Sequence, residues 1–159
     1  MWVGDGRRVI EVDERFEVPA APGTVWQLLA DPHAVVGCVP GASIASQNDD
    51  GSLETALTVK FGPLSVAFHG HVELELDAAR LHGQMSARGR DTQGGARFTA
   101  TATFGVAPSG EGSVVTTHGE VNITGRLASM IEGGATVVAK RMSAQFAECL
   151  RARCAKDVS

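Results

Sequence analysis

The feature that most constrains this chain is a change of period near residue 125. From residue 42 to residue 125 apolar side chains recur at every second position. From 126 to 155 they recur at every third or fourth, and no proline interrupts them. The first pattern belongs to half-buried strands, the second to a helix with one apolar stripe. Asp49-Asp50-Gly51, Gly62-Pro63, Thr92-Gln93-Gly94-Gly95 and residues 108–113 punctuate the first stretch as turns. Turns this short leave no room for crossover connections, so consecutive strands must run antiparallel.

Before residue 42 the chain is more varied. Ile10, Val12, Phe16 and Val18 alternate with charged residues, with Glu14 in the same phase, and the run ends at Pro19. Pro22-Gly23-Thr24 opens a short helix over 25–30 with Val25, Leu28 and Leu29 on one face. Asp31 as N-cap and Pro32 at the first helical position open a second, which stops near Gly37. The order is strand, two short helices, six antiparallel strands, long helix. An α+β fold with one curved sheet wrapped around one long helix satisfies it, because the helix must cover the apolar face of the sheet.

Composition narrows the function. With 159 residues, 43% hydrophobic and 20% charged, the chain reads as one globular domain over 1–159. It is long enough to need neither disulfides nor a metal to fold. A net charge of -4 argues against sequence-independent nucleic-acid binding. The charge is uneven: residues 1–125 hold 8 Lys/Arg against 15 Asp/Glu, and residues 126–159 hold 6 against 3. The basic end could meet an anionic membrane or an acidic partner; alternatively Arg151, Arg153 and Lys156 complement the negative end of a helix dipole. Three cysteines, Cys38, Cys149 and Cys154, are read as reduced thiols of a cytosolic protein. No signal-like apolar segment and no run of 18 apolar residues is visible, so a cytoplasmic protein without a transmembrane helix is expected.

The inward strand positions hold small residues. By parity, Gly70, Gly83, Ala87, Gly89, Ala100, Ala102 and Gly119 point toward the core. Glycine within a strand leaves nothing to pack. Either large side chains fill the space, or the sheet stands off the helix and a cavity remains. Gly133-Gly134 inside the long helix costs about 0.8–1.0 kcal/mol per residue relative to Ala, and would thin it where it faces the sheet. The expected cavity walls are Leu57, Val59, Phe61, Val66, Phe68, Met85, Phe98, Phe104, Val121, Ile123, Met130, Ile131, Val138 and Met142. The small positions Gly70, Ala87, Ala100, Ala102 and Gly134 complete them, and Thr55 and Thr117 are the polar exceptions. No inward carboxylate, Lys or His is expected. Such a pocket suits an apolar molecule and offers little for acid–base or nucleophilic chemistry. The loops expected to open lie around residues 25–36 and Gly62-Pro63, as segments held by few ladder bonds.

Other candidates have plain alternatives. His69 and His71, followed by Glu73 and Glu75, share one strand face that could hold a transition metal. The same spacing arises on any polar strand surface, and no bound metal is expected. Cys38 has no His or Asp partner at a nucleophile's spacing, and no catalytic residue is expected. Phosphate-binding glycine loops, nucleophile elbows and zinc-protease motifs are absent.

Several stretches resemble the CoxG family of carbon monoxide dehydrogenase subunits, within the START-like (SRPBCC, helix-grip) superfamily. They are Phe16-Glu17-Val18-Pro19-Ala20, Val25-Trp26-Gln27-Leu28-Leu29-Ala30-Asp31-Pro32, Cys38-Val39-Pro40-Gly41, Val59-Lys60-Phe61-Gly62-Pro63, Phe68-His69-Gly70 and Gly119-Glu120-Val121-Asn122-Ile123-Thr124-Gly125-Arg126-Leu127-Ala128. The resemblance covers about residues 10–155. It implies a curved seven-stranded antiparallel sheet gripping a C-terminal helix around an apolar cavity. It also implies a non-enzymatic carrier of a quinone- or lipid-like molecule, with no cofactor of its own. The implied partner is a molybdenum hydroxylase of the carbon monoxide dehydrogenase type, served by membrane recruitment or quinone delivery. Transient contact at the inner face of the membrane would follow. Many members continue past the helix into a hydrophobic tail; this chain stops at Ser159, which favours a soluble carrier. The superfamily also contains polyketide cyclase-like enzymes, and an assembly protein acting only through surface contacts is a further alternative.

Overall fold

The structure, a computed structural model, describes the backbone of residues 2–3, 7–131 and 134–158 and the side chains of residues 9–128 and 134–155. Strands β1 (Trp2–Val3), β2 (Arg7–Val18), β3 (Ala42–Gln47), β4 (Leu53–Phe61), β5 (Leu64–Asp77), β6 (His82–Asp91), β7 (Arg97–Ser109) and β8 (Gly112–Thr124) form one antiparallel sheet, in the order β1-β2-β8-β7-β6-β5-β4-β3. Strands β3 to β8 form the meander expected from their turns. Seven strands are those read from the sequence, and the two-residue edge strand β1 is an addition to that reading.

Helix α1 (Pro22–Leu29) buries Val25, Trp26 and Leu29. Helix α2 (Pro32–Gly37) begins as its sequence dictates: Pro32 leads, and the Asp31 carboxylate accepts a hydrogen bond from the His33 amide at 3.0 Å. Gly41 carries the chain from α2 into β3 at φ 81°, where a side chain would strike the Thr58 carbonyl. Gly125, at φ 106°, performs the corresponding turn out of β8.

The long helix expected over 126–155 is two helices, α3 (Arg126–Ile131) and α4 (Ala135–Val158). Glycine favours an interruption over a continuous helix, and Gly134 is placed at this one; Glu132 and Gly133 lie outside the described residues. Gly134 lies in the turn ahead of Ala135.

Three buried clusters fix α4 to the sheet. Val18, Val25, Trp26, Leu29, Val106 and Val115 enclose Leu150 and Cys154 near the C-terminal end of the helix. Ile10, Ala96, Ile123 and Ala128 pack on Ala135, and Val59, Val66 and Phe68 pack on Val138. The segments expected to open together therefore lie apart. Val25 packs with Leu150, whereas Phe61 and Leu64, which flank Gly62-Pro63, pack with the cluster of Ala128 and Ala135.

The cysteines also depart from expectation. Cys38 and Cys149 form a disulfide, with Cα atoms 5.4 Å apart and 111 residues between them in sequence. Cys154 lies outside the bridge and is buried. Spacing arguments address cysteines near in sequence; this pair meets because the end of α2 lies against α4. Gly37 has no side chain there, and the Arg153 guanidinium occupies the space.

The β3–β4 hairpin is held by polar contacts. Asp50 accepts from the Ser52 amide at 2.9 Å, and Asn48 donates to Glu54 at 2.8 Å. Glu54 also contacts His71 Nδ1 at 2.8 Å. The Glu54 hydrogen bond raises the His71 pKa above its ordinary 6.5. Hydrogen bonds from Asn48 and then His71 lower that of Glu54 below its ordinary 4.5.

The bridge and the Glu54–His71 contact are both open to measurement. Denatured without reductant, the protein should expose one reactive thiol, and replacing Cys149 by Ser should lower stability by about 2–4 kcal/mol; three reactive thiols would remove the bridge. For the ion pair the readout is pH. The His71 contribution is full below about pH 6.5 and fades as pH rises through its raised folded value. The Glu54 contribution is full above about pH 4.5 and fades as pH falls through its lowered folded value. Urea unfolding of wild type and His71→Gln should therefore differ most near about pH 5.5 and converge toward about pH 9. A gap that widens with rising pH would contradict the assignment.

Candidate functional site

Strand parity and the α4 stripe meet around a cavity of about 320 Å³ between sheet and helix. Of the residues expected there, the structure places Thr55, Leu57, Val59, Phe61, Phe68, Gly70, Met85, Ala87, Phe98, Ala100, Val121, Ile123, Val138 and Met142 on its wall. Ile10, Val12, Val72, Ala135 and Ala139 line it too, beyond the expected set. A signal for them exists. Ile10 and Val12 alternate on β2 opposite Val121 and Gly119, and Ala135 and Ala139 lie beside the Val138–Met142 stripe at helical spacing.

Other expected residues lie elsewhere. Val66 is buried beside Val59 and Phe68. Phe104 stacks on Trp26 with ring centroids 6.1 Å apart. Ala102 pairs with Gly119 and Met85 in the sheet without reaching this wall. Thr117 lines a separate, smaller cavity. A Cβ on Gly134 would meet nothing within 4 Å, and Gly134 is not among the residues that line this wall. The Met130 and Ile131 side chains and Gly133 fall outside the described residues.

Both readings of the small inward residues hold, in different rows. A Cβ on Gly70 would lie 3.0 Å from the Phe98 ring, and one on Gly83 would collide with Phe104. There the glycines make room for aromatic rings. Phe98 in turn meets Phe68 edge-on at 5.6 Å. At Gly119 the nearest neighbour of such a Cβ would be the Thr101 carbonyl at 3.8 Å, so this row stays open.

Among the described wall residues Thr55 is the one with a polar side chain, and its hydroxyl donates to the Gly70 carbonyl at 3.1 Å. The cavity is therefore apolar with its polar atom already engaged. Two carboxylates nevertheless point inward, against expectation. Asp91 is buried because it serves the β6–β7 turn, accepting from the Ala96 amide at 2.6 Å and the Gln93 amide at 3.2 Å. Glu14 shares the phase of Ile10 and Val12 and lines the smaller cavity.

The opposite face of the sheet is charged. An open depression of about 910 Å³ there is bordered by His69, His71, Arg88, Arg90 and Arg97. His71 is engaged on both ring nitrogens, by Glu54 at 2.8 Å and Glu73 at 3.4 Å. In the sheet register His69 stands opposite Arg90, and His71 opposite Arg88. Two cations beside the imidazoles oppose joint metal coordination. Among the described residues no group of three or more His, Cys, Asp or Glu is arranged to hold a metal, and no helix is long and apolar enough to cross a membrane.

Known proteins with this architecture are numerous. A conserved protein from Geobacillus kaustophilus superposes with a TM-score of 0.79 at 18% identity, covering 92% of this chain and 96% of that one. The Zhui aromatase/cyclase from a Streptomyces species gives 0.67 at 14% identity, over 96% and 97%. A START superfamily protein from Mycobacterium smegmatis gives 0.58 at 20% identity, over 92% and 97%. At such identities these likenesses establish the START-like fold alone. No curated protein matches by sequence at a significant level. The family model for CoxG, a carbon monoxide dehydrogenase subunit, nevertheless matches residues 15–155, and with nearly the whole sheet, both short helices and most of α4 inside that match, the chain belongs to the CoxG family.

Proposed function

We propose that this protein is a non-enzymatic carrier of a hydrophobic, quinone- or lipid-like molecule held between the sheet and α4. The observation that carries the reading is the cavity wall. About 320 Å³ is bordered by side chains of which only Thr55 is polar among those described, and Thr55 already donates to the chain itself. That volume is at the small end of ligand sites, and burial there is driven by apolar surface removed from water. Membership of the CoxG family supports a role beside a molybdenum hydroxylase of the carbon monoxide dehydrogenase type. Loading at the membrane surface, followed by delivery to the enzyme or recruitment of it, is the use such a cavity serves. A polyketide cyclase-like activity would need titratable groups against the bound molecule, and the main cavity wall supplies none among the described residues.

The test uses organic extraction and a binding titration. Mass spectrometry of extracts from purified protein should return an unaltered isoprenoid or acyl molecule. Ala100→Phe places a ring in the cavity and should weaken an environment-sensitive apolar probe by at least about tenfold, while the outward-facing Glu75→Ala leaves it unchanged. Equal affinity in wild type and a folded Ala100→Phe variant would place the probe outside the cavity.

A further inference from the structure

Glu14 is a carboxylate on the inner face of the sheet. Its register partner on β8 is Thr117. Ser143 of α4 comes in from the other side, and all three line a cavity of about 220 Å³ whose remaining wall includes Phe16 and Phe146. None of these three polar side chains makes a hydrogen bond or ion pair with another described residue. The nearby cation Arg151 is held by the Glu17 carbonyl at 2.8 Å and lies over the Phe16 ring at 5.5 Å, and it makes no ion pair with Glu14.

This polar cavity adjoins the apolar one. Met142 lines both. On the sheet side, the row between them is Val12 and Gly119, and Gly119 contributes no side chain. The partition is thus Met142, an unbranched side chain with three rotatable bonds, which repacks readily around a ligand.

We propose that Glu14, Thr117 and Ser143 form a head-group subsite at the end of the apolar cavity, selecting a molecule whose apolar body ends in an O–H or N–H donor. The inference rests on the carrier reading and sharpens it. A carboxylate only accepts hydrogen bonds, whereas the Thr117 and Ser143 hydroxyls accept or donate. A phenol or hydroquinol donates to Glu14. A quinone or an ether presents only lone pairs to it and loses that bond. For a quinone-like cargo the subsite therefore favours the reduced form over the oxidised one.

Isothermal titration with 4-octylphenol and its methyl ether at about pH 7 tests this, because the ether lacks the donor and adds only a methyl group. Wild type should bind the phenol about 10- to 100-fold more tightly, the range of a hydrogen bond to a charged acceptor. Glu14→Leu should abolish the preference while keeping ether affinity within about threefold, and Glu14→Gln should retain part of it. Far-UV circular dichroism reports that each variant is folded. Equal affinity of wild type for phenol and ether would overturn the subsite and leave the carrier reading standing. A preference that persists in Glu14→Leu would also overturn it. If neither compound nor the apolar probe binds folded wild type, the carrier reading falls, and the subsite with it.

Discussion

A single helix cannot cover this sheet, and the cavity follows from that mismatch. Seven strands at about 4.8 Å spacing make a trough about 30 Å across, whereas a helix with its side chains is about 10–12 Å wide. Curvature closes part of the difference. Helix α1 closes more of it, by placing Val25, Trp26 and Leu29 against Leu150 and Cys154. What remains must be filled by side chains from the strands or left empty. The chemical character of each inward position then decides which part of the trough is core and which is cavity.

The filling is economical in side chains. Phe98 on β7 reaches across Gly89 of β6 to Gly70 of β5, and Phe104 lies over Gly83. Each ring occupies space that two ordinary residues would otherwise contest. Glycine weakens a strand interior, but here each gap is occupied by an aromatic ring that also pairs with a second, Phe68 or Trp26. One row away, Gly119 has no such ring above it, and between the apolar chamber and the Glu14 end stands Met142, which lines both. A hydrophobic chamber beside a carboxylate that no described residue pairs is a different object from a purely apolar pocket. It has a direction, and a bound molecule would be oriented by it.

Much of this is legible in the sequence because strand parity is a rigid rule. Leu57, Val59, Phe68, Phe98, Val121 and Ile123 can be assigned to one face without any structure, and each lies on the cavity wall. The Asp31-Pro32 cap is equally direct. Parity says which face a residue takes, but not how far along the trough it lies. Thr117 and Phe104 accordingly share the face of the cavity and miss its wall. Glu14 is hidden for a different reason: a charge within an alternating run reads as an exception when its phase is the better guide. The Cys38–Cys149 bridge and the break before Ala135 are illegible for a further one. The bridge depends on contact across 111 residues, and the break on whether packing could hold Gly134 in a helix.

The two halves of α4 are held unequally, and this bears on how the cavity exchanges its contents. Near its C-terminal end the helix is tied by the disulfide to α2, by Leu150 and Cys154 to a large buried cluster, and by Arg151 to the β2 backbone. Its N-terminal half rests on the sheet through Ala135, Val138, Ala139 and Met142, without a covalent tie, and it follows closely on the six-residue α3. Local opening occurs where buried contacts are fewest. By that principle the N-terminal half of α4, beside the Gly62-Pro63 turn, is the part of the grip expected to open at the lower cost. The end of α2, tied to α4 by the disulfide, lies on the Glu14 side, where Val39 shares the cavity wall with Glu14. An apolar body leaving through the yielding end would withdraw tail first from a head group held at the fixed end. Release then requires breaking the polar contact at Glu14 before the apolar surface meets water. A receiving site that offered the head group a competing acceptor could draw the molecule across without exposing it.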